Sequence, residues 1–118
     1  MLDVCRGAGA RPRVVFTSSV AVYGGDMPDI VLDTTALNPQ TSYGTQKAAA
    51  ELLIGDYTRK GFIDGRVLRL PTISVRPGRP NAAASSFASG VVREPLNGQE
   101  AVCPVDPDAR MWVLSPST

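Results

Sequence analysis

The sequence predicts an α/β fold on a parallel sheet, and three observations carry that prediction. Two short apolar and β-branched runs, Arg13-Val-Val-Phe-Thr-Ser18 and Arg66-Val-Leu-Arg-Leu70, read as strands, the first buried on both faces. A capped, alanine-rich helical stretch lies between them. A second helical stretch follows, and the order strand, helix, strand, helix is that of parallel strands joined by crossovers. Two strong strands cannot cover both faces of such a sheet, so a fragment of a larger sheet is expected.

Each element has its own local cause. Leu2 to Arg6 reads as the end of a helix, broken by Gly7-Ala8-Gly9. The first strand turns polar at Thr17-Ser18-Ser19, where it should end. Tyr23-Gly24-Gly25-Asp26 opens a loop of about 15 to 20 residues through Met27-Pro28 and Leu37-Asn38-Pro39, a length often tied to function. Thr41 or Ser42 can cap the long helix, which runs to about Arg59-Lys60, with the basic pair at its C-terminus and Gly61 as the stop. Pro71 ends the second strand. Asn81 can cap a helix from Ala82 to about Glu94, ahead of Pro95 and Gly98. Glu100 to Cys103 and Met111 to Leu114 read as short strands, and Ser115-Pro116-Ser117 as the start of another helix.

Composition removes several classes of function. The 118 residues carry a net charge of +1, which gives no basic footprint for nucleic acid or an anionic membrane. No apolar run approaches the roughly 18 residues of a membrane span, and Met-Leu-Asp-Val-Cys-Arg is not a secretory leader. The absence of histidine excludes a Ser-His-Asp triad and a histidine-ligated zinc within this chain, and no metal site is expected. Cys5 and Cys103 read as two separate buried thiols of a cytoplasmic protein, with a disulfide as the alternative. Proton transfer would have to use Tyr, Lys, Asp or Glu.

The main chemical constellation is Tyr43-Gly-Thr-Gln-Lys47. A spacing of four sets both side chains on one helix face, on a stripe that continues through Ala50, Ile54 and Tyr57. The bland reading is a lysine extended past a packed tyrosine. The chemical reading is that an ammonium about 5 Å from a phenolate stabilises it by roughly 3 kcal/mol at an effective dielectric near 20, and the first helical turn favours an anion further. Ser18 and Ser19 stand at the carboxyl end of a strand, where open α/β sheets bind ligands, although serines cap strand ends in many proteins without any such role.

Together these segments resemble the extended short-chain dehydrogenase/reductase family, in its NAD-dependent epimerase and dehydratase branch. Val15-Phe-Thr-Ser-Ser-Val-Ala-Val-Tyr-Gly24 resembles that family's strand with its catalytic hydroxyl, and Thr41-Ser-Tyr-Gly-Thr-Gln-Lys47 its catalytic helix. The resemblance implies a Rossmann-like doubly wound parallel sheet, present in part, with the N-terminal half of the sheet missing. It implies that Ser19, Tyr43 and Lys47 are catalytic: Tyr43 as proton acceptor, Lys47 holding the nicotinamide ribose and favouring the phenolate, Ser18 beside Ser19 against the substrate. Leu68-Arg-Leu-Pro-Thr-Ile73 resembles the strand and turn at the nicotinamide, which makes Pro71, Thr72 and Ile73 cofactor candidates. The same likeness implies one cofactor-binding domain over residues 1–118, with the substrate region starting from about 72, and a homodimeric parent. The cofactor is expected to be NAD, with NADP open.

Within the family, Leu37-Asn-Pro-Gln-Thr-Ser-Tyr-Gly, Arg76-Pro-Gly-Arg-Pro-Asn-Ala-Ala-Ala-Ser-Ser-Phe87 and Asp106-Pro-Asp-Ala-Arg-Met-Trp-Val-Leu-Ser-Pro116 are similar to members that oxidise a secondary alcohol of a sugar acid. Arg76 and Arg79 could hold such a carboxylate, or could be solvated loop charges; Ser85 and Ser86 could reach an anion, or pack. Sugar-nucleotide epimerase or dehydratase activity is the alternative, and a non-catalytic fragment or binding module is the alternative of another class. The chain departs from the family in lacking its glycine-rich pyrophosphate loop: Gly7-Ala8-Gly9 precedes its strand, and Pro12 stands where the third glycine would be.

Overall fold

The computed structural model describes residues 1–75 and 84–116. They form two compact units, Met1–Leu70 and Pro71–Thr118.

The first unit contains helix α1 (Leu2–Gly7), strand β1 (Arg13–Ser19), a 3-10 turn (Val20–Val22), helix α2 (Ser42–Arg59) and strand β2 (Asp64–Leu70). β1 and β2 pair in parallel from Arg13↔Asp64 to Ser19↔Leu70, with α2 as the crossover between them. α2 starts where the Thr41 hydroxyl accepts the Gly44 N–H at 3.0 Å, so Thr41 is the cap. It stops at Gly61, whose φ of 78° lets Gly61 N and Phe62 N turn back onto the Thr58 and Tyr57 carbonyls. α1 is tied to α2 by the Tyr57 hydroxyl, which donates to Asp3 at 2.8 Å.

The sheet face toward α2 carries Val14, Phe16 and Ser18 on β1, with Gly65, Val67 and Arg69 opposite them in register. Gly65 is required there: a Cβ would fall 2.4 Å from Thr58 Oγ1 and 2.7 Å from Ile54 Cγ2. The other face is open in this unit, with Val15 62% and Leu68 50% exposed. Of the expected burial of β1 on both faces, the described residues supply the α2 face. Side chains alternate along a strand, and α2 lies over one set only.

The buried stripe of α2 is Gly44, Ala48, Glu51 and Ile54. It is rotated by about one residue from the expected stripe through Tyr43, Lys47, Ala50, Ile54 and Tyr57, so Tyr43 and Lys47 border the packed face.

The second unit has strand β3 (Thr72–Ile73), a 3-10 turn (Ala84–Ser86), helix α3 (Phe87–Leu96) and strand β4 (Val113–Leu114). β3 and β4 pair in parallel, Thr72 with Val113 and Ile73 with Leu114. The Ser74 hydroxyl donates to the Ala88 carbonyl at 2.9 Å and joins β3 to α3. α3 runs through Pro95, past the expected end at Glu94, because a proline this near a helix end removes only a bond that fraying would weaken. Glu100 to Cys103 is irregular, not a strand; Val102 is 76% exposed and no ladder partner lies among the described residues. Both cysteines are free, and Cys103 is exposed rather than buried, in that same irregular stretch.

Candidate active site

The first unit positions the expected catalytic residues through one close approach. Gly44, the third residue of the α2 N-terminus counting from its cap, meets the 3-10 turn so tightly that a Cβ would lie 2.1 Å from the Ala21 carbonyl oxygen. Tyr43 precedes Gly44 and Ser19 lies two residues before Ala21, so this contact brings their two segments together. Ser19 ends β1 in extended backbone and caps the turn, its hydroxyl accepting the Ala21 N–H at 3.2 Å. A hydroxyl that accepts one bond still has its proton to donate.

Lys47 lies one turn after Tyr43. Its Nζ donates to the Thr17 carbonyl at 2.7 Å and stands 5.6 Å from the Tyr43 ring centroid and 4.8 Å from that of Phe16. Tyr43 is 53% exposed. The pair therefore offers an accessible phenol with a fixed ammonium beside it. An ammonium has three N–H donors, and the Thr17 carbonyl takes one of them. The two that remain suit the vicinal hydroxyls of a ribose, so this donor set fits a nicotinamide nucleoside.

Ser18 is placed differently from Ser19. It is 3% exposed, and its hydroxyl donates to Glu51 Oε1 on the α2 side of the sheet. Glu51, 8% exposed, also receives Arg69 Nε at 3.2 and 3.1 Å and Arg69 Nη2 at 2.8 Å, while Arg69 Nη1 donates to the Tyr23 hydroxyl. Burial alone would push the Glu51 carboxyl up, but the bonds from Arg69 and Ser18 together hold it below its ordinary value. Bonding to Glu51 in turn holds the Arg69 guanidinium above its ordinary value.

Sequence reasoning missed Glu51, Arg69 and Tyr23. The available signal was Glu51, four residues after Lys47 and eight after Tyr43, a second charge on a mostly apolar helix face.

Pro71, Thr72 and Ile73 lie half-buried in the second unit, Thr72 and Ile73 on β3. Ser85 and Ser86 lie in the turn before α3. Arg76, Arg79 and Asn81 lie outside the described residues.

The model of the NAD dependent epimerase/dehydratase family matches residues 1–112. The chain belongs to that family. It is 69% identical over 116 residues to a D-erythronate dehydrogenase of Cupriavidus necator, covering 98% of this chain and 36% of that protein. It is 57% identical over 118 residues to a D-erythronate dehydrogenase of Haemophilus influenzae, covering 100% of this chain and 38% of that one. The solved structure described as a nucleoside-diphosphate-sugar epimerase from Agrobacterium tumefaciens superposes with a TM-score of 0.89 at 56% identity, covering 98% of this chain and 35% of that one. The chain thus spans a little over a third of the relatives it matches, and its fold is part of their Rossmann-like arrangement of parallel strands and helices. The family is one of enzymes, as the resemblance implied.

Proposed function

We propose that this chain carries the reacting group of an NAD-dependent oxidoreductase that oxidises a secondary alcohol of a D-erythronate-like sugar acid. The observation that carries the reading is Lys47, fixed by the Thr17 carbonyl at 2.7 Å and standing 5.6 Å from the Tyr43 ring. The high identity to two D-erythronate dehydrogenases supports the substrate class. A bound nicotinamide supplies the hydride acceptor. Tyr43 takes the proton of the substrate hydroxyl, and Ser19 donates to that same oxygen and aims it. Lys47 sets a positive charge beside the phenol and turns its remaining N–H donors to the ribose. Pro71, Thr72 and Ile73 belong to the cofactor side, and Arg76 and Arg79 to the carboxylate. Ser18 supports Ser19 from behind rather than meeting the substrate, since its hydroxyl is already given to Glu51.

The parent works in the cytoplasm as a homodimer in this reading; the exposed Leu52 and Leu53 on α2 support pairing of two copies through that helix. The test is NAD reduction by the full-length protein with D-erythronate, followed at 340 nm as a readout of NADH. Tyr43→Phe should lower kcat by about a hundredfold or more, and Lys47→Ala should weaken NAD binding measured by calorimetry. Undiminished turnover in Tyr43→Phe would sink the reading.

A second reading, sugar-nucleotide epimerisation, is supported by the likeness to the nucleoside-diphosphate-sugar epimerase of Agrobacterium tumefaciens. Interconversion of a nucleotide sugar without net NADH, and no turnover of D-erythronate, would select it.

A further inference from the structure

We infer that Glu51 and Arg69 form a positioning pair that fixes Ser19 against Tyr43 and Lys47; the inference rests on the catalytic reading of those three residues. Consecutive residues at the end of β1 are divided among three tasks. The Thr17 carbonyl receives Lys47, the Ser18 hydroxyl bonds Glu51, and Ser19 presents its hydroxyl at the strand end. Lys47 and Glu51 are one turn apart on α2, so two adjacent residues of β1 are stitched to two successive turns of the helix that carries Tyr43.

Arg69 closes the arrangement from the other strand. It pairs with Ser18 in the β1–β2 register, and its guanidinium reaches both Glu51 and the Tyr23 hydroxyl. Tyr23 closes the 3-10 turn that follows Ser19, its N–H bonding the Val20 carbonyl at 3.0 Å. Ser19 is thereby bracketed on both sides in sequence: by Ser18 through Glu51, and by Tyr23 through Arg69 itself.

Stability does not account for the pair. Desolvating two charges offsets most of their attraction, and replacing a buried ion pair by apolar side chains of similar volume is often neutral or better. What the fork of a guanidinium on a carboxylate adds is a fixed geometry. A displacement of about 1 Å at a reacting group can cost on the order of a hundredfold in rate.

The test is made on the full-length protein. In the double variant Glu51→Met/Arg69→Met, the melting temperature should stay within about 5 °C, because no charge is left unpaired. Its kcat should fall at least about tenfold, while the calorimetric Kd for NAD changes less than about threefold. A double variant with unimpaired kcat overturns the inference. Should the double variant not fold, Ser18→Ala cuts a single bond of the network. It should lower kcat by about three- to tenfold at an unchanged NAD Kd, with Ser18→Thr restoring turnover; full kcat in Ser18→Ala overturns the inference. Tyr43→Phe run alongside separates the two levels. Turnover that survives it removes the catalytic reading and the positioning role together. Turnover lost there but retained in the double variant removes the positioning role alone.

Discussion

Gly44 and Ala21 touch with no room for a side chain: a Cβ on the glycine would sit 2.1 Å from the Ala21 carbonyl oxygen and 3.0 Å from a Pro39 side-chain carbon. The neighbour is backbone, so it cannot rotate away. Gly44→Ala must therefore push α2 off the 3-10 turn. The expected cost is about 1–3 kcal/mol, read as a fall in the denaturation midpoint of the full-length protein. The catalytic reading adds that turnover should fall by more than the unfolded fraction explains, since Tyr43 and Ser19 are the residues moved apart.

Gly55 on the same helix predicts the opposite sign. It is exposed, and nothing lies within 4 Å of a Cβ placed on it. A helix-interior glycine costs about 0.5–1 kcal/mol relative to alanine. In the 118-residue chain Gly55→Ala should raise the midpoint by about that much. A neutral or destabilised variant confined to the full-length protein would mean that this face, which also carries Leu52, is covered there, as pairing of two copies through α2 requires.

The cap of α2 should be separable from its packing. Thr41→Ala removes the oxygen that receives the Gly44 N–H, at an expected cost of about 1 kcal/mol. Thr41→Ser retains the oxygen and should lie within a few tenths of the unmodified protein on the same measure.

Acid should act through Glu51. Its carboxyl is held below the ordinary value of about 4.3. A group depressed in the folded state contributes stability that is present above its unfolded value and lost as pH falls through its folded one. The unmodified protein should accordingly lose stability as pH falls below about 4, and that component should be absent in Glu51→Gln. At neutral pH the same substitution leaves the half-buried Arg69 with a neutral partner, so it should be less stable there, by less than the roughly 3–5 kcal/mol of a fully buried pair. The two melting curves should converge toward low pH; parallel curves would place the acid response elsewhere.

Much of the first unit was legible in the sequence. Val14, Val15 and Phe16 announce a strand, Thr41 or Ser42 a cap and Gly61 a stop, and each signal is local, so each survives without knowledge of the partners. The match of family and fold followed from the same short segments. What was not legible depends on long-range packing. Whether Val15 is covered depends on what lies over the sheet, and no periodicity states that. Ser18 and Ser19 look alike in sequence, yet alternation sends Ser18 toward Glu51 and leaves Ser19 at the strand end. Glu51 and Arg69 are 18 residues apart in sequence, and only the packing of α2 on β2 brings them to one place. In the second unit, Val102 reads as strand by residue type, but a strand exists only where another backbone supplies its bonds.

Ser19, Tyr43 and Lys47, with Glu51 and Arg69, all fall in the unit that ends at Leu70, whereas Thr72 falls in the next. In the proposed reading, a graft that exchanged the sequence after Leu70 would carry the proton-handling residues over together, while the cofactor-side residues Pro71, Thr72 and Ile73 would arrive with the incoming part.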